Sequence, residues 1–82
     1  MVRRRRDLRP AVLVATPPWP TDVARIRQLA GLSAATGRAV AGALRSLSDA
    51  GLVVHAPSGW YRTETGDLAA QMIQADRLER AA

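Results

Sequence analysis

No cysteine, lysine or phenylalanine occurs among the 82 residues. Without cysteine there are no disulfides, zinc fingers or thiol nucleophiles. With Trp19, Trp60 and Tyr61 as the only aromatics, a core has to be built from aliphatic side chains and alanine. The single histidine, His55, lacks companions for metal binding or acid–base catalysis. Carboxylates are few, and Asp7, Asp22 and Asp67 read as helix starters, with Asp49, Asp76 and Glu79 as exposed helix residues. Only Glu64 is left over, and neither a Ser-His-Asp set, a carboxylate pair nor a glycine-rich phosphate loop can be assembled. The expectation is a protein that is not an enzyme and needs no cofactor or metal. No apolar run is long enough to span a membrane. The stretch Ala11 to Ala15 that follows Arg3 to Arg6 is shorter than the ~7–15 apolar residues of a secretory signal. A cytoplasmic protein is expected.

What remains is aliphatic and basic. Hydrophobic residues make up 48% of the chain, enough for one compact domain and no second one. Net charge is +5, and all twelve basic residues are arginine. Arginine in place of lysine, with abundant alanine, is also what GC-rich coding produces, but coding does not explain the positive excess. Guanidinium forks match phosphate oxygens and guanine edges, so the excess favours nucleic acid as partner.

Residues 1–6 form a basic arm. Asp7 can cap a short helix that tolerates Pro10 in its first turn and turns Leu8, Val12 and Leu13 inward. The run Pro17-Pro18-Trp19-Pro20 breaks it, and Trp19 is expected to plug the core there. Thr21 is the N-cap candidate of a second helix, with Asp22 just inside and Val23, Ile26, Leu29 and Ala30 as its apolar face. Gly31, or the stretch from Ser33 to Thr36, ends it. A third helix carries Val40, Ala43, Leu44 and Leu47 at spacings of three and four and closes at Gly51. Residues 52–56 alternate as a strand, Pro57-Ser58-Gly59 is a turn, and residues 60–63 return. Strand alternation sends Trp60 and Tyr61 to opposite faces, so one of them belongs in the core. Thr65 and Gly66 read as a break, and Asp67 opens a last helix.

The run Ala43-Leu44-Arg45-Ser46-Leu47-Ser48-Asp49-Ala50-Gly51-Leu52-Val53 resembles the junction "L-x-x-L-x-x-x-G-L-V" of bacterial winged helix-turn-helix regulators. Residues from Thr21 to Ser33 are similar to that family's positioning helix and Gly-Leu-Ser turn. The resemblance covers roughly residues 21–65. It implies a mainly α fold with a small β-hairpin: a three-helix core, a two-stranded wing and an extra C-terminal helix. The division expected is an arm over 1–6, a winged helix-turn-helix domain over 7–65 and a C-terminal helix over 66–82. Two starts remain open for the recognition helix. Gly31-Leu32-Ser33 as the turn places the cap at Ser33, whereas Leu29-Ala30 as the family's "Leu-Ala" pair places it at Thr36.

On a helical wheel of ~100° per residue, Arg38, Gly42, Arg45 and Asp49 lie opposite the apolar stripe. Arg38 and Arg45 are two turns apart on one face, with the small Gly42 between them and Ala41 and Ser46 at its sides. Small residues let a helix descend into a major groove, where arginines reach guanine O6 and N7 or nearby phosphates. Thr36, at the open start of the helix, joins this set. The resemblance implies that the wing reaches the DNA backbone, through His55, Ser58 and Arg62. Arg25 and Arg27 on the second helix are expected as further phosphate contacts, and the arm Arg3, Arg4, Arg5 and Arg6 is expected to track a neighbouring phosphate run or minor groove. The function expected is sequence-specific binding of double-stranded DNA by a small transcriptional regulator. The runner-up is a winged-helix adaptor that docks an acidic protein of the transcription or replication machinery. Leu68, Met72, Ala75 and Leu78 form a narrow stripe on the last helix, the expected interface of a weak homodimer.

Overall fold

The structure, a computed structural model, describes residues 7–81; the arm Arg3 to Arg6 lies outside them. Four helices and one hairpin follow in the order α1 (Arg9–Ala15), α2 (Val23–Leu29), α3 (Gly37–Asp49), β1 (Val53–Ala56), β2 (Gly59–Arg62) and α4 (Glu64–Ala81). The chain is mainly helical, with a two-stranded antiparallel hairpin.

Helix α1 starts where the Asp7 carboxylate accepts the Arg9 backbone N–H, with Pro10 in the first turn. It buries Val12 and Leu13 completely, and the prolines at 17 and 18 end it. The next segment departs from expectation. Trp19 is 64% exposed and plugs nothing. The Arg62 N–H donates to the Pro17 carbonyl, and Thr21 exchanges both backbone hydrogen bonds with Trp60, at 2.8 and 2.9 Å. Residues 18–20 therefore arch between two points fixed on β2, and the core position is taken by Trp60, which is buried. Because Thr21 is held in that bridge, it is Asp22 that caps α2, accepting the Arg25 N–H at 2.8 Å. Ile26 is the buried residue of α2, while Leu29 is half exposed.

Helices α2 and α3 end in the same way. In Ala30-Gly31-Leu32 and in Ala50-Gly51-Leu52 the glycine takes positive φ, +68° and +78°. The following leucine N–H then bonds back to the carbonyl of Arg27 or Leu47, at 3.0 and 2.9 Å. This closure satisfies the last helical carbonyls and turns each leucine toward the interior. Between the two closures, Thr36 caps α3 by accepting the Ala39 N–H, which decides between the two starts in favour of Thr36. Val40, Ala43, Leu44 and Leu47 are buried as their spacing predicts.

The hairpin pairs Val53 with Arg62, Val54 with Tyr61, His55 with Trp60 and Ala56 with Gly59, leaving Pro57 and Ser58 as the turn. β1 lies within the expected 52–56, starting one residue later, and β2 is displaced by one residue from the expected 60–63. Helix α4 starts at Glu64, before the expected opening at Asp67, so Thr65 and Gly66 are helical. Thr63 anchors this start: its hydroxyl donates to the Gly51 carbonyl and accepts the Gly66 N–H. Gly66 is there because the first turn of α4 lies directly on the Leu52 carbonyl, where a Cβ would collide. The inward face of α4 is Gly66, Ala69, Ala70 and Ile73. Leu68, Met72 and Leu78 are exposed by 59%, 74% and 72%, and Ala75 is also exposed.

Candidate nucleic-acid interface

Helix α3 packs its apolar stripe on α1 and α2 and turns its other side outward. Arg38, Gly42, Arg45 and Asp49 are exposed and Ala41 is half buried. Among the described residues, neither Arg38 nor Arg45 has a hydrogen-bond or ion-pair partner. A Cβ at Gly42 would meet nothing within 4 Å, so the glycine fills no internal need. A glycine inside a helix costs about 0.5–1 kcal/mol relative to alanine.

The two flanks of α3 differ. On one side Ala41, Arg45, Ser48 and Asp49 face the hairpin across a groove of about 500 Å³, closed by Val23, His55 and Trp60. His55 stacks flat on Trp60, with ring centroids 4.0 Å apart and planes 6° from parallel. Trp60 is itself fixed by its backbone pair with Thr21, so the exposed imidazole stands on a rigid base. Ser58 is exposed in the hairpin turn.

On the other flank Ser46 lies beside α1, 3.5 Å from an Arg9 guanidinium nitrogen. Ser46 therefore belongs with α1 and not with the exposed face. Nothing in the local run Asp7-Leu8-Arg9-Pro10 beyond a helix start marks Arg9, and only the packing of α1 on α3 brings this cation to the site. It holds Asp7 in a two-pronged ion pair, with both contacts at 3.0 Å. The Arg9 side chain and then its backbone N–H hold the Asp7 carboxyl below the usual carboxylate range, and Asp7 raises the Arg9 value in turn.

Two other arginines are committed elsewhere. Arg62 points into the protein: it pairs with Asp67 at the start of α4 and donates to the carbonyls of Leu13 and Val14 at 3.3 and 3.2 Å. It thereby caps the C-terminal end of α1, and only 20% of its side chain is exposed. The expected backbone contact of Arg62 is not available in this arrangement. Arg27 donates to the carbonyls of Leu32 and Ser33 and holds the turn after α2. Arg25 is exposed, and its side chain bonds only Gln28 among the described residues, so it remains on the surface beside that turn. Thr36 is exposed but spends its hydroxyl on the α3 cap.

Charge is distributed unevenly along the chain. Residues 1–63 hold ten of the arginines against Asp7, Asp22 and Asp49, for a net +7. Residues 64–82 hold Glu64, Asp67, Asp76 and Glu79 against Arg77 and Arg80, for a net −2. Helix α4 packs on α1 and β2, so the acidic part lies behind α1 as seen from the exposed face of α3. Between α1, the end of α3 and α4 runs an apolar groove of about 450 Å³. Among the described residues, no His, Cys, Asp and Glu side chains gather in a group of three or more, and no helix is long and apolar enough to cross a membrane. No known protein family, curated protein or solved structure matches the chain.

Proposed function

We propose that the chain is a winged helix-turn-helix module that binds double-stranded DNA, with α3 as recognition helix in the major groove and the β1–β2 hairpin as the wing beside it. The observation that carries this reading is the open face of α3. There Arg38 and Arg45 stand two turns apart without partners among the described residues, and Gly42 leaves clear space between them. A B-form major groove about 12 Å wide admits such a helix. Helix order, hairpin position and the excess of positive charge ahead of α4 support the same reading. The arm Arg3 to Arg6 joins the chain at Asp7, next to the Arg9 that touches α3, and serves as an additional phosphate contact. Deleting it should weaken binding to all sequences alike and flatten the salt dependence. Regulation of transcription is the use we propose for that binding.

Selection of bound duplexes from a random pool, followed by anisotropy titrations, tests the reading. Arg38→Ala with Arg45→Ala should lose most of the affinity for the selected site while staying folded, since both side chains are exposed. Gly42→Leu should block approach without unfolding α3, because leucine is the better helix former. A folded double variant that binds its selected DNA as tightly as the parent overturns the proposal. Absence of salt-dependent duplex binding would favour the alternative, an adaptor that docks an acidic protein on the same arginines.

Exposure of Leu68, Met72, Ala75 and Leu78 supports a weak homodimer through α4. Sedimentation should show the dimer and its loss in Leu68→Glu; a monomer both free and on DNA rejects it.

A further inference from the structure

Resting on the DNA-binding reading, we infer that the groove between α3 and the hairpin seats one phosphate of the DNA backbone, held by Arg45 and His55, and that Arg38 is the arginine that reads a base. The two arginines share a face but not a setting. Arg45 lines the groove of about 500 Å³ that separates α3 from β1 and β2, and Arg38 does not. A base edge is reached by a side chain on the crest of a helix that enters the groove, free of the protein body. Phosphates border the groove and meet the helix flanks and whatever stands beside them. By that criterion Arg38, near the N-terminal end of α3 and clear of the hairpin, is placed for a base, and Arg45, two turns further on and beside the hairpin, for a phosphate.

The rest of the groove matches a phosphate. Across from Arg45, His55 lies flat on Trp60 at 4.0 Å, so its plane is fixed and its ring nitrogens lie at the edge. Ser48, half buried, adds a hydroxyl to the α3 wall. None of Arg45, Ser48 and His55 has a side-chain partner among the described residues, so the three remain available to one ligand. A phosphodiester oxygen accepts from all three, whereas a base edge offers one short pattern of donors and acceptors.

Asp49 is the counterweight. It follows Arg45 by one turn, lines the same groove and is exposed. Its carboxylate repels a phosphate placed there and weakens backbone affinity on every sequence. The contribution of Arg38 to discrimination is then a larger share of the whole.

The test uses the full chain, a duplex selected from a random pool and a scrambled duplex, titrated over a salt series. Arg45→Ala should weaken binding to both duplexes by the same factor, about 10–100-fold for a charged hydrogen bond. It should also flatten the slope of log affinity against log salt by about 0.9. Arg45→Lys should restore most of the loss on both duplexes alike, because a phosphate accepts from a point charge whatever the sequence beside it. Asp49→Asn should tighten both duplexes equally, and His55→Gln should weaken both equally. Arg38→Ala should weaken the selected duplex and leave the scrambled one nearly unchanged. Placing single neutral methylphosphonate linkages along the selected site should reveal one position that weakens the parent but not Arg45→Ala. Loss of base preference in Arg45→Ala, with an unchanged salt slope and no rescue by lysine, overturns the inference while DNA binding stands. A parent chain that binds neither duplex overturns both.

Discussion

Two glycines inside helices of this protein should respond in opposite directions to the same substitution. From helix propensity alone, Gly→Ala stabilises by about 1 kcal/mol. At Gly42 the added Cβ meets nothing within 4 Å, so that gain should appear in full. At Gly66 the Cβ would overlap the Leu52 carbonyl oxygen, and would lie 2.7 Å from the Arg62 Cγ and 3.0 Å from the Leu52 carbonyl carbon. A backbone carbonyl cannot rotate away as a side chain does, so the first turn of α4 has to lift. Lifting it strains the Thr63 hydrogen bonds to Gly51 and Leu52 and the Gly66 N–H bond to the Thr63 hydroxyl. Overpacking of this kind costs about 1–3 kcal/mol, and the strained hydrogen bonds together about 1 kcal/mol more, since they are lengthened and not lost. After subtraction of the propensity gain, Gly66→Ala should destabilise by about 2 kcal/mol. For a domain of this size that lowers Tm by roughly 8–16 °C, while Gly42→Ala raises it by roughly 4–8 °C. Thermal unfolding followed by circular dichroism at one protein concentration measures both. A Gly66→Ala variant as stable as the parent would refute the close seat of α4 on Leu52.

Arg62→Ala should cost about 2–3 kcal/mol in urea unfolding, because it strips the carbonyls of Leu13 and Val14 and leaves Asp67 unpaired; a change below about 0.5 kcal/mol would contradict the cap described for α1. Trp19→Ala should change stability by no more than about 0.5 kcal/mol, since the ring is 64% exposed. The same variant should remove the red-shifted part of the tryptophan emission and leave the buried Trp60; an unshifted spectrum would place Trp19 in the core after all. Asp7 has its carboxyl held low by Arg9, so its contribution to stability is present above the ordinary aspartate value and is lost as pH falls through the lowered one. A carboxyl NMR titration should find it below the ordinary aspartate value, and in Arg9→Ala it should rise toward that value without reaching it, because the backbone N–H of residue 9 still donates to the carboxylate.

Helix α3 was readable because three independent signals coincide: apolar spacing at 40, 43, 44 and 47, a capping threonine at 36 and a glycine at 51. The hairpin was readable from its turn residues, which need no knowledge of the rest of the chain. Features set by distant partners were not. Gly66 reads locally as a helix breaker, and only the approach of Leu52, fourteen residues earlier, makes it a requirement of α4. Arg62 in a strand reads as a surface charge, yet its acceptors are carbonyls of α1, 48 and 49 residues away in sequence. Trp19 reads as core by its size, but Trp60 is the tryptophan that the strand pairing carries inward. Within the candidate interface, the α3 face was legible from a helical wheel. The flank that holds Ser46, and the separation of Arg45 from Arg38 by the groove, needed the neighbouring elements in place.

The uneven charge has a kinetic consequence. Among the described residues, six arginines against three aspartates ahead of α4, a net +3, and a net −2 from Glu64 onward make the molecule an electric dipole as well as a cation. If the partner is the DNA duplex proposed above, such a body feels a torque in its field before it touches anything, one that presents α3 and turns α4 away. Fewer encounters are then wasted in the wrong orientation, and association gains speed beyond what net charge gives, with factors of about 10–10³ for steered systems at low ionic strength. Once the Debye length shrinks to about 8 Å near physiological salt, most of this alignment is confined to the last few ångströms of approach. Reversing the −2 on α4 by charge substitution would therefore raise the total charge yet slow productive arrival per encounter, because the torque, not the pull, would be lost.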